Sequence, residues 1–132
     1  MTQPFFWIGI HKIKEGKADE LRQVMKNFPD FIEENEPRLL GFNLYISDDE
    51  SRVAVVQIHP DADSFEFHMK VAREHISGSY DLLEETESTL IFGTPTPAVL
   101  EMVSQFRQEA GQKETLSVLS QPLAGFTRLG DE

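Results

Sequence analysis

The sequence predicts an α+β fold of the ferredoxin-like type, with elements in the order β-α-β-β-α-β and a further helix and strand at the C-terminus. Two observations support this prediction. Residues 40–59 contain two runs of period-two alternation around a polar turn, as expected of a hairpin. Stretches with apolar residues at three- and four-residue spacing, as in amphipathic helices, lie on either side of it. Residues 1–132 are predicted to form one domain, with a core at about 5–93 and an extension at 94–132.

The chain begins with a predicted strand and a long amphipathic helix. The strand is Phe5–Lys14, in which both sets of alternate side chains are largely apolar. The helix runs from Asp19 to about Glu36, and Pro37 ends it. Pro29 lies inside the helical pattern and has no N–H to donate, so the helix is expected to kink near Met25 or to divide into two.

The predicted hairpin consists of the strands Leu40–Ser47 and Arg52–His59, joined by the turn 48–51. Each strand has one apolar set of side chains and one mixed set, and the prediction places the two apolar sets on the same face. The mixed sets then share the other face with part of the first strand: Trp7, His11, Asn43, Tyr45, Val53, Val55 and Gln57. This mixed face is expected to be free of helices, and a second copy related by two-fold symmetry would bury it. A one-residue slip in register would move these side chains to the opposite face.

The second half of the chain is predicted to contribute two further helices and three strands. The helix Ser64–His75 follows an N-cap at Asp63 or Ser64, and Ser77-Gly78-Ser79 is expected to end it. One stripe of this helix carries Phe65, His68, Met69, Ala72, His75 and Ile76. The remaining predicted elements are one or two helical turns at Tyr80–Glu85, the strand Ser88–Phe92, the helix Ala98–Ala110 after Thr96-Pro97, and short strands at Leu116–Leu119 and Ala124–Leu129.

Composition and charge argue against several classes of function. The formal net charge is −11, which opposes binding to nucleic acid and to anionic membranes, since both are bound through Lys and Arg. The chain contains no Cys, so disulfides, thiolate nucleophiles and Cys zinc sites are excluded. No apolar run has the length of a membrane span, and the N-terminal residues lack the pattern of a signal peptide, so a cytoplasmic protein is expected.

The order of elements, together with three stretches of sequence, resembles the dimeric α+β barrel superfamily. The stretches are Gln57–Asp61, the helix between His68 and His75, and the C-terminal Pro122–Arg128. Within that superfamily the chain is most similar to the antibiotic-biosynthesis-monooxygenase-like proteins. The resemblance covers about Phe5–Phe92. It implies a homodimer that forms a dimeric α/β barrel, with a pocket between sheet and helices in each subunit.

The resemblance implies more than one activity. The family includes cofactor-free oxygenases of phenolic or quinol substrates, haem-degrading enzymes and members without an assigned activity. The first hypothesis is a cofactor-independent monooxygenase-like enzyme for a small aromatic or quinol-like substrate. The alternative is a non-catalytic dimeric protein that binds a small ligand or is associated with stress, and a haem-binding member is a third. The expected partners are a second copy and a small aromatic molecule, and no cofactor is expected.

The candidate site residues follow from residue type and position. Those for catalysis are His68, His75 and Asn43, and those for substrate binding are Trp7, His11, Tyr45 and Gln57. Imidazole can act as a general base near neutral pH, and Trp7 and Asn43 resemble in type the residues with which the cofactor-free oxygenases deprotonate a phenol. His68 and His75 are two helical turns, roughly 10 Å, apart, so no metal site is predicted. The alternative roles are structural, with histidines at the rim of the core and Trp7 and Tyr45 packed in a subunit interface.

Overall fold

The computed structural model describes residues 3–109 and 115–128, and the side chains in these ranges other than 73–80, 106, 107 and 109. Its elements in chain order are β1 (Phe5–Ile13), α1 (Ala18–Met25), α2 (Phe28–Asn35), β2 (Gly41–Ile46), β3 (Arg52–His59), α3 (Ala62–Tyr80), β4 (Leu83–Phe92), α4 (Pro97–Glu109) and β5 (Thr115–Leu119). The predicted α+β order is confirmed, with the first helix divided in two. None of the helices in the described ranges is both long enough and apolar enough to cross a membrane.

The five strands form one mixed sheet in the order β2-β3-β1-β4-β5. The central strand β1 pairs antiparallel with β3 and β4, and β2 pairs antiparallel with β3 at one edge. At the other edge β5 pairs parallel with β4, because α4 carries the chain back along the sheet between these two strands. The four antiparallel strands correspond to those of the predicted β-α-β-β-α-β order, and the C-terminal strand extends this sheet.

The helices bear out one sequence prediction and contradict another. α1 ends at Met25 and α2 begins at Phe28 with Pro29 in its first turn, so the first helix divides in two, which is one of the two outcomes expected of Pro29. α3 extends to Tyr80, so the prediction that Ser77-Gly78-Ser79 ends this helix is wrong. A Gly inside a helix costs only about 1 kcal/mol, and propensities of this size are readily overridden by tertiary packing.

Two predictions for the second half of the chain are also wrong. Residues 83–85, predicted as helical, begin β4, where Leu83 pairs with Ile13 beside an irregularity in the ladder. The described part of the predicted strand Ala124–Leu129, residues 124–128, has no regular secondary structure. Gly125 there has a φ of 132°, which lies outside the β region and interrupts an extended strand.

The register of β2 against β3 corrects the predicted faces of the sheet. Phe42 pairs with Gln57, and Asn43 pairs with Val56. The prediction that Asn43 and Tyr45 share a face with Gln57 is therefore wrong, because they lie on the opposite side. The prediction matched the two strands by apolar content, whereas the length of the connecting loop determines which residues are opposite each other.

All four helices pack against one face of the sheet, which we call the covered face. This is shown by contacts of Leu21 in α1 with Val53, Phe28 in α2 with Phe42, Phe65 in α3 with Trp7, and Val99 in α4 with Ile91. The covered face carries Phe5, Trp7, Gly9, His11, Phe42, Leu44, Ile46, Val53, Val55, Gln57, His59, Thr89 and Ile91. It therefore mixes apolar and polar side chains, and it holds much of the core.

The opposite face, which we call the open face, has no helix over it within the described residues. Its members are Phe6, Ile8, Ile10, Asn43, Tyr45, Ala54, Val56, Ile58, Leu90 and Phe92, none of which is buried. The prediction that the mixed face with Trp7 and Gln57 is uncovered is thus wrong, and the more apolar face is uncovered. The helices can cover the mixed face because their own side chains form hydrogen bonds with its polar groups, as Ser64 does with His59.

Candidate functional site

A histidine–carboxylate pair lies between the helices and the covered face. Glu36 directly follows α2, where its N–H donates to the carbonyl of Ile32, and Pro37 prevents further helix. Its two carboxylate oxygens each lie 2.9 Å from Nδ1 of His68 on α3. Both side chains are buried, with 2% of Glu36 and none of His68 exposed. A carboxylate bound to one ring nitrogen determines the tautomer and the orientation of the imidazole.

The second ring nitrogen of His68 has no hydrogen-bond partner. Among the buried side-chain nitrogen and oxygen atoms that the structure describes, Nε2 of His68 is the one in this condition. Because Nδ1–H donates to Glu36, the neutral ring presents a lone pair at Nε2. Buried polar groups are normally paired, so an unpaired one in a native fold is a candidate position for catalysis or for binding a ligand, a water or an ion. The pair therefore has the arrangement of a general base, His68, that the carboxylate of Glu36 holds in position.

Aromatic rings surround this base. The ring of His68 lies 5.6 Å from Phe42, 6.1 Å from Phe65 and 6.0 Å from His59, measured between centroids. The ring of Trp7 stacks on Phe65, with the two centroids 4.5 Å apart. These side chains come from β1, β2, β3 and α3, so they meet only in the folded chain. A wall of this composition suits a flat organic ligand with few polar groups.

A second group of buried, hydrogen-bonded side chains lies beside the Glu36–His68 pair. Nε2 of His59 lies 2.9 Å from the amide oxygen of Gln57, which can only accept, so His59 carries its proton there. The Oγ–H of Ser64 then donates to Nδ1 of His59 over 2.7 Å. Burial lowers the pKa of His59 to about 3, with smaller electrostatic contributions from the neighbouring His68 and Arg38. His59 is therefore neutral and fully bonded, and it supports the site without taking up a proton.

The start of α3 positions these groups. The Asp61 carboxylate accepts the backbone N–H of Ser64 over 2.9 Å, so Asp61 caps the helix in place of the predicted Asp63 or Ser64. The cap sets the rotation of the first turn, which brings Ser64 to His59. His68 follows one turn later on the same side of the helix and reaches Glu36.

The predicted site residues are divided between the two faces of the sheet. Trp7, His11, Gln57 and His68 lie on the covered side, whereas Asn43 and Tyr45 lie on the open face, where Tyr45 is 59% exposed. His75 lies within α3, but its side chain is outside the described residues. Within the described part of the chain, no three His, Asp or Glu side chains group together as a metal site.

Sequence reasoning missed Glu36 as a member of the site. An acidic side chain at the end of a helix is ordinarily expected on the solvent-exposed surface. The signal that could have found it is spacing, since Phe28, Ile32 and Glu36 recur every four residues along the buried stripe. A carboxylate that continues an apolar stripe is predicted to be buried, and burial requires a partner. Phe42, His59 and Ser64 were also missed.

Comparison with known proteins identifies solved structures with this fold. No family model and no curated protein matches the chain. The structure of MupZ from Pseudomonas fluorescens superposes with a TM-score of 0.68 at 13% identity, and covers 96% of this chain and 95% of that one. A protein of Nitrosomonas europaea is provisionally named an antibiotic biosynthesis monooxygenase. It superposes with a TM-score of 0.61 at 15% identity, and the match covers 74% of this chain and 95% of that one. A protein of Caulobacter crescentus with the same provisional name superposes with a TM-score of 0.58 at 17% identity. The match covers 68% of this chain and 86% of that one. The likeness to MupZ extends over 96% of this chain, and the likenesses to the other two extend over 74% and 68% of it. All three identities are too low to transfer an activity.

Proposed function

We propose that this chain, which has the fold of the antibiotic-biosynthesis-monooxygenase-like proteins, is a cofactor-independent monooxygenase-like enzyme for a small phenol or quinol. The observation that supports this most directly is the unpartnered Nε2 of buried His68, with Glu36 on the other ring nitrogen. In the proposed reaction, His68 takes the phenolic proton at Nε2. Glu36 holds the ring in place and stabilises the imidazolium that forms, so it is a positioning residue.

Proton removal is the step that the protein must supply. A phenolate or quinol anion is a far better electron donor than the neutral phenol, so it can react with dioxygen directly. In the balanced reaction, a phenol and one dioxygen give a quinone and one water. One oxygen atom enters the ring, the C–H and O–H hydrogens leave with the other oxygen, and the ring itself provides the electrons. No external reductant is needed in this scheme.

The surroundings of His68 support an aromatic substrate. Phe42 and Phe65 lie within ring-contact distance of the imidazole, and Trp7 extends the same wall. Aromatic pairs in such arrangements contribute about 0.5–1.5 kcal/mol beyond their buried area. The same wall keeps water from the base, which strengthens the electrostatic effect of Glu36 on it.

We further infer that the chain forms a homodimer through the open face. This face is rich in Phe, Ile, Val and Leu side chains that are only partly buried. Contiguous apolar surfaces of this kind mark interaction sites, and a two-fold pairing of identical faces is self-complementary. Two sheets meeting in this way would form the dimeric barrel that the fold resemblance implies.

Oxygen consumption with a panel of phenols and quinols tests the proposed function. The panel includes 1-naphthol and 1,4-dihydroxynaphthalene, and labelled dioxygen shows where each oxygen atom goes. We expect turnover with one labelled atom in the product and the other in water. The variant His68→Gln should lose about 10²–10⁴-fold in rate, because it removes the base. The matched control is Lys70→Gln, an exposed change on the same helix that should leave the rate unchanged.

Three results would contradict this proposal. Equal rates in His68→Gln and the wild-type protein would remove His68 from the mechanism. Ligand binding without oxygen consumption across the panel would indicate the non-catalytic binding protein. A Soret band in the purified protein would assign the site to haem.

A further inference from the structure

The segment that follows β5 carries the most exposed large apolar side chains of the described chain. Leu123 is 98% exposed and Phe126 is 81% exposed, and no other large apolar side chain in the described ranges exceeds 59%. Beyond Ser120, no hydrogen bond joins residues 121–128, which we call the arm, to the rest of the described chain. A single exposed apolar residue is normal on a protein surface, but two that are this exposed within four positions indicate an interaction site.

The base of the arm is fixed to the sheet. The N–H of Gly93 donates to the carbonyl of Leu119 over 3.0 Å, and the hydroxyl of Thr94 donates to the carbonyl of Ser120 over 3.2 Å. Leu119 lies beside Phe92 on the open face, so the apolar surface of that face continues through Leu119 to the arm. The place at which the arm leaves the sheet is thus set before any partner binds, which lowers the entropic cost of association.

The charge of the arm is opposite to that of the chain as a whole. Residues 115–128 contain none of the 23 Asp and Glu residues, and their one charged side chain is Arg128. The guanidinium carbon of Arg128 lies 5.0 Å from the centroid of the Phe126 ring. The arm therefore presents apolar side chains and one positive charge, whereas the formal net charge of the chain is −11. A second copy of the chain offers an acidic surface that is complementary to this charge.

We propose that the arm docks on a second copy of this chain, across the homodimer interface inferred above for the open face, on which this proposal rests. An extended segment of eight residues spans up to about 26 Å, and two stacked sheets lie roughly 10 Å apart, so the arm is long enough to reach the facing subunit. By two-fold symmetry, each subunit gives one arm and receives one. Leu123 and Phe126 are then buried against the partner, and Arg128 meets its acidic surface.

Photochemical crosslinking tests where the arm lies. The chain contains no Cys, so the variant Leu123→Cys has a single thiol, which is labelled with a photoreactive benzophenone maleimide. After irradiation we expect a covalent species with twice the 15.1 kDa mass of one chain. The control is Val24→Cys with the same label, at an exposed apolar position of α1, and it should give no such species. A label on the arm that reacts only within its own chain would overturn the proposal.

Sedimentation velocity over a range of protein concentrations measures how much the arm contributes. Phe126→Ser should raise the dissociation constant of the homodimer about tenfold or more, because each dimer loses this ring from both arms. Arg128→Glu should also raise the dissociation constant, and the increase should be smaller at high salt concentration, since salt screens exposed charges. Lys70→Glu makes the same change of charge at an exposed position of α3 and should leave the dissociation constant close to that of the wild-type protein.

The outcomes distinguish the arm from the homodimer. Combined with Ile8→Lys, which places a charge in the centre of the open face and should give a monomer, Phe126→Ser should leave the free energy of unfolding in urea unchanged, because the ring is already exposed in one chain. A loss of stability in this monomer, or an unchanged dissociation constant in Phe126→Ser alone, would overturn the role of the arm and leave the homodimer in place. A monomeric wild-type protein would exclude both, whereas the oxygenase proposal is tested separately by oxygen consumption.

Discussion

Glu36 and His68 are separated by 32 positions in the sequence, yet the Glu36 carboxylate is held against Nδ1 of His68 with both oxygens at 2.9 Å. The contact joins the end of α2 to the middle of α3 inside the apolar layer between helices and sheet. Each group would be costly to bury alone, and the two together are tolerated because they satisfy one another. The pair thus links the stability of the helical layer to the chemistry of the candidate site.

Removing both members of this pair should destabilise the protein by less than the sum of the two single removals. We expect Glu36→Leu to lower the free energy of unfolding by about 3 kcal/mol, because His68 then has two unpaired nitrogens. The double variant with His68→Leu should lose less than the sum of the single changes by about 1–3 kcal/mol. Urea unfolding measures these values, and Glu34→Leu at an exposed position of the same helix is the control. Strict additivity would show that the two side chains do not stabilise each other.

Stability should fall as the pH decreases from about 6.5 toward 3, because His59 is held neutral by burial in the folded state. The pKa of His59 is about 3 in the folded chain against 6.5 for an exposed histidine, so the unfolded chain binds one more proton within this window. The contribution of neutral His59 to the free energy of unfolding is complete above pH 6.5. Below pH 6.5 it decreases by up to about 1.4 kcal/mol per pH unit. His59→Gln should flatten this slope in urea unfolding between about pH 5 and 6.5. Identical slopes in variant and wild type would contradict the assignment.

The affinity for an aromatic ligand should depend on Phe42 and should not depend on the nearby Asn43 and Tyr45. Phe42 faces His68 on the covered side, so Phe42→Ala should weaken binding of 1-naphthol by about tenfold through loss of a ring contact. Asn43→Ala and Tyr45→Phe alter the open face and should leave the dissociation constant unchanged. Calorimetric titration of the three variants measures this. A large loss in Asn43→Ala with none in Phe42→Ala would mean that the ligand lies on the open face.

The proposed homodimer should dissociate when a charge is placed on the open face. Ile8 lies in the centre of that face, and burying a lysine there against a second sheet has a high desolvation cost. Ile8→Lys should therefore elute with the 15.1 kDa mass of one chain, while the wild-type protein elutes at twice that mass. Sedimentation velocity gives the same comparison, and Gln23→Lys at an exposed position of α1 is the charge-matched control. A wild-type protein that sediments as a monomer would exclude this interface.

Much of the fold could be predicted from local patterns along the chain. Alternation of apolar side chains located β1, β2 and β3, and three- and four-residue spacing located α1, α2 and the start of α3. Pro97 marked a helix start and Pro29 marked an interruption of the first helix, because proline constrains its own backbone wherever it occurs. The end of α3 and the start of β4 could not be placed in this way. Gly78 lies inside α3 despite its low helix propensity. Residues 83–85 belong to β4 because they pair with the distant strand β1.

The sequence by itself determined the order and type of the elements and the presence of an imidazole on the inner stripe of α3, because these depend on residues close together in the chain. Only the tertiary structure decided which face of the sheet the helices cover, and with it the separation of Asn43 and Tyr45 from Trp7 and Gln57. It also brought Glu36 to His68. The physical reason is that strand side chains alternate with a period of two, so a shift of one residue in pairing reverses every side chain. Contacts between distant elements depend on that register, which no local pattern encodes.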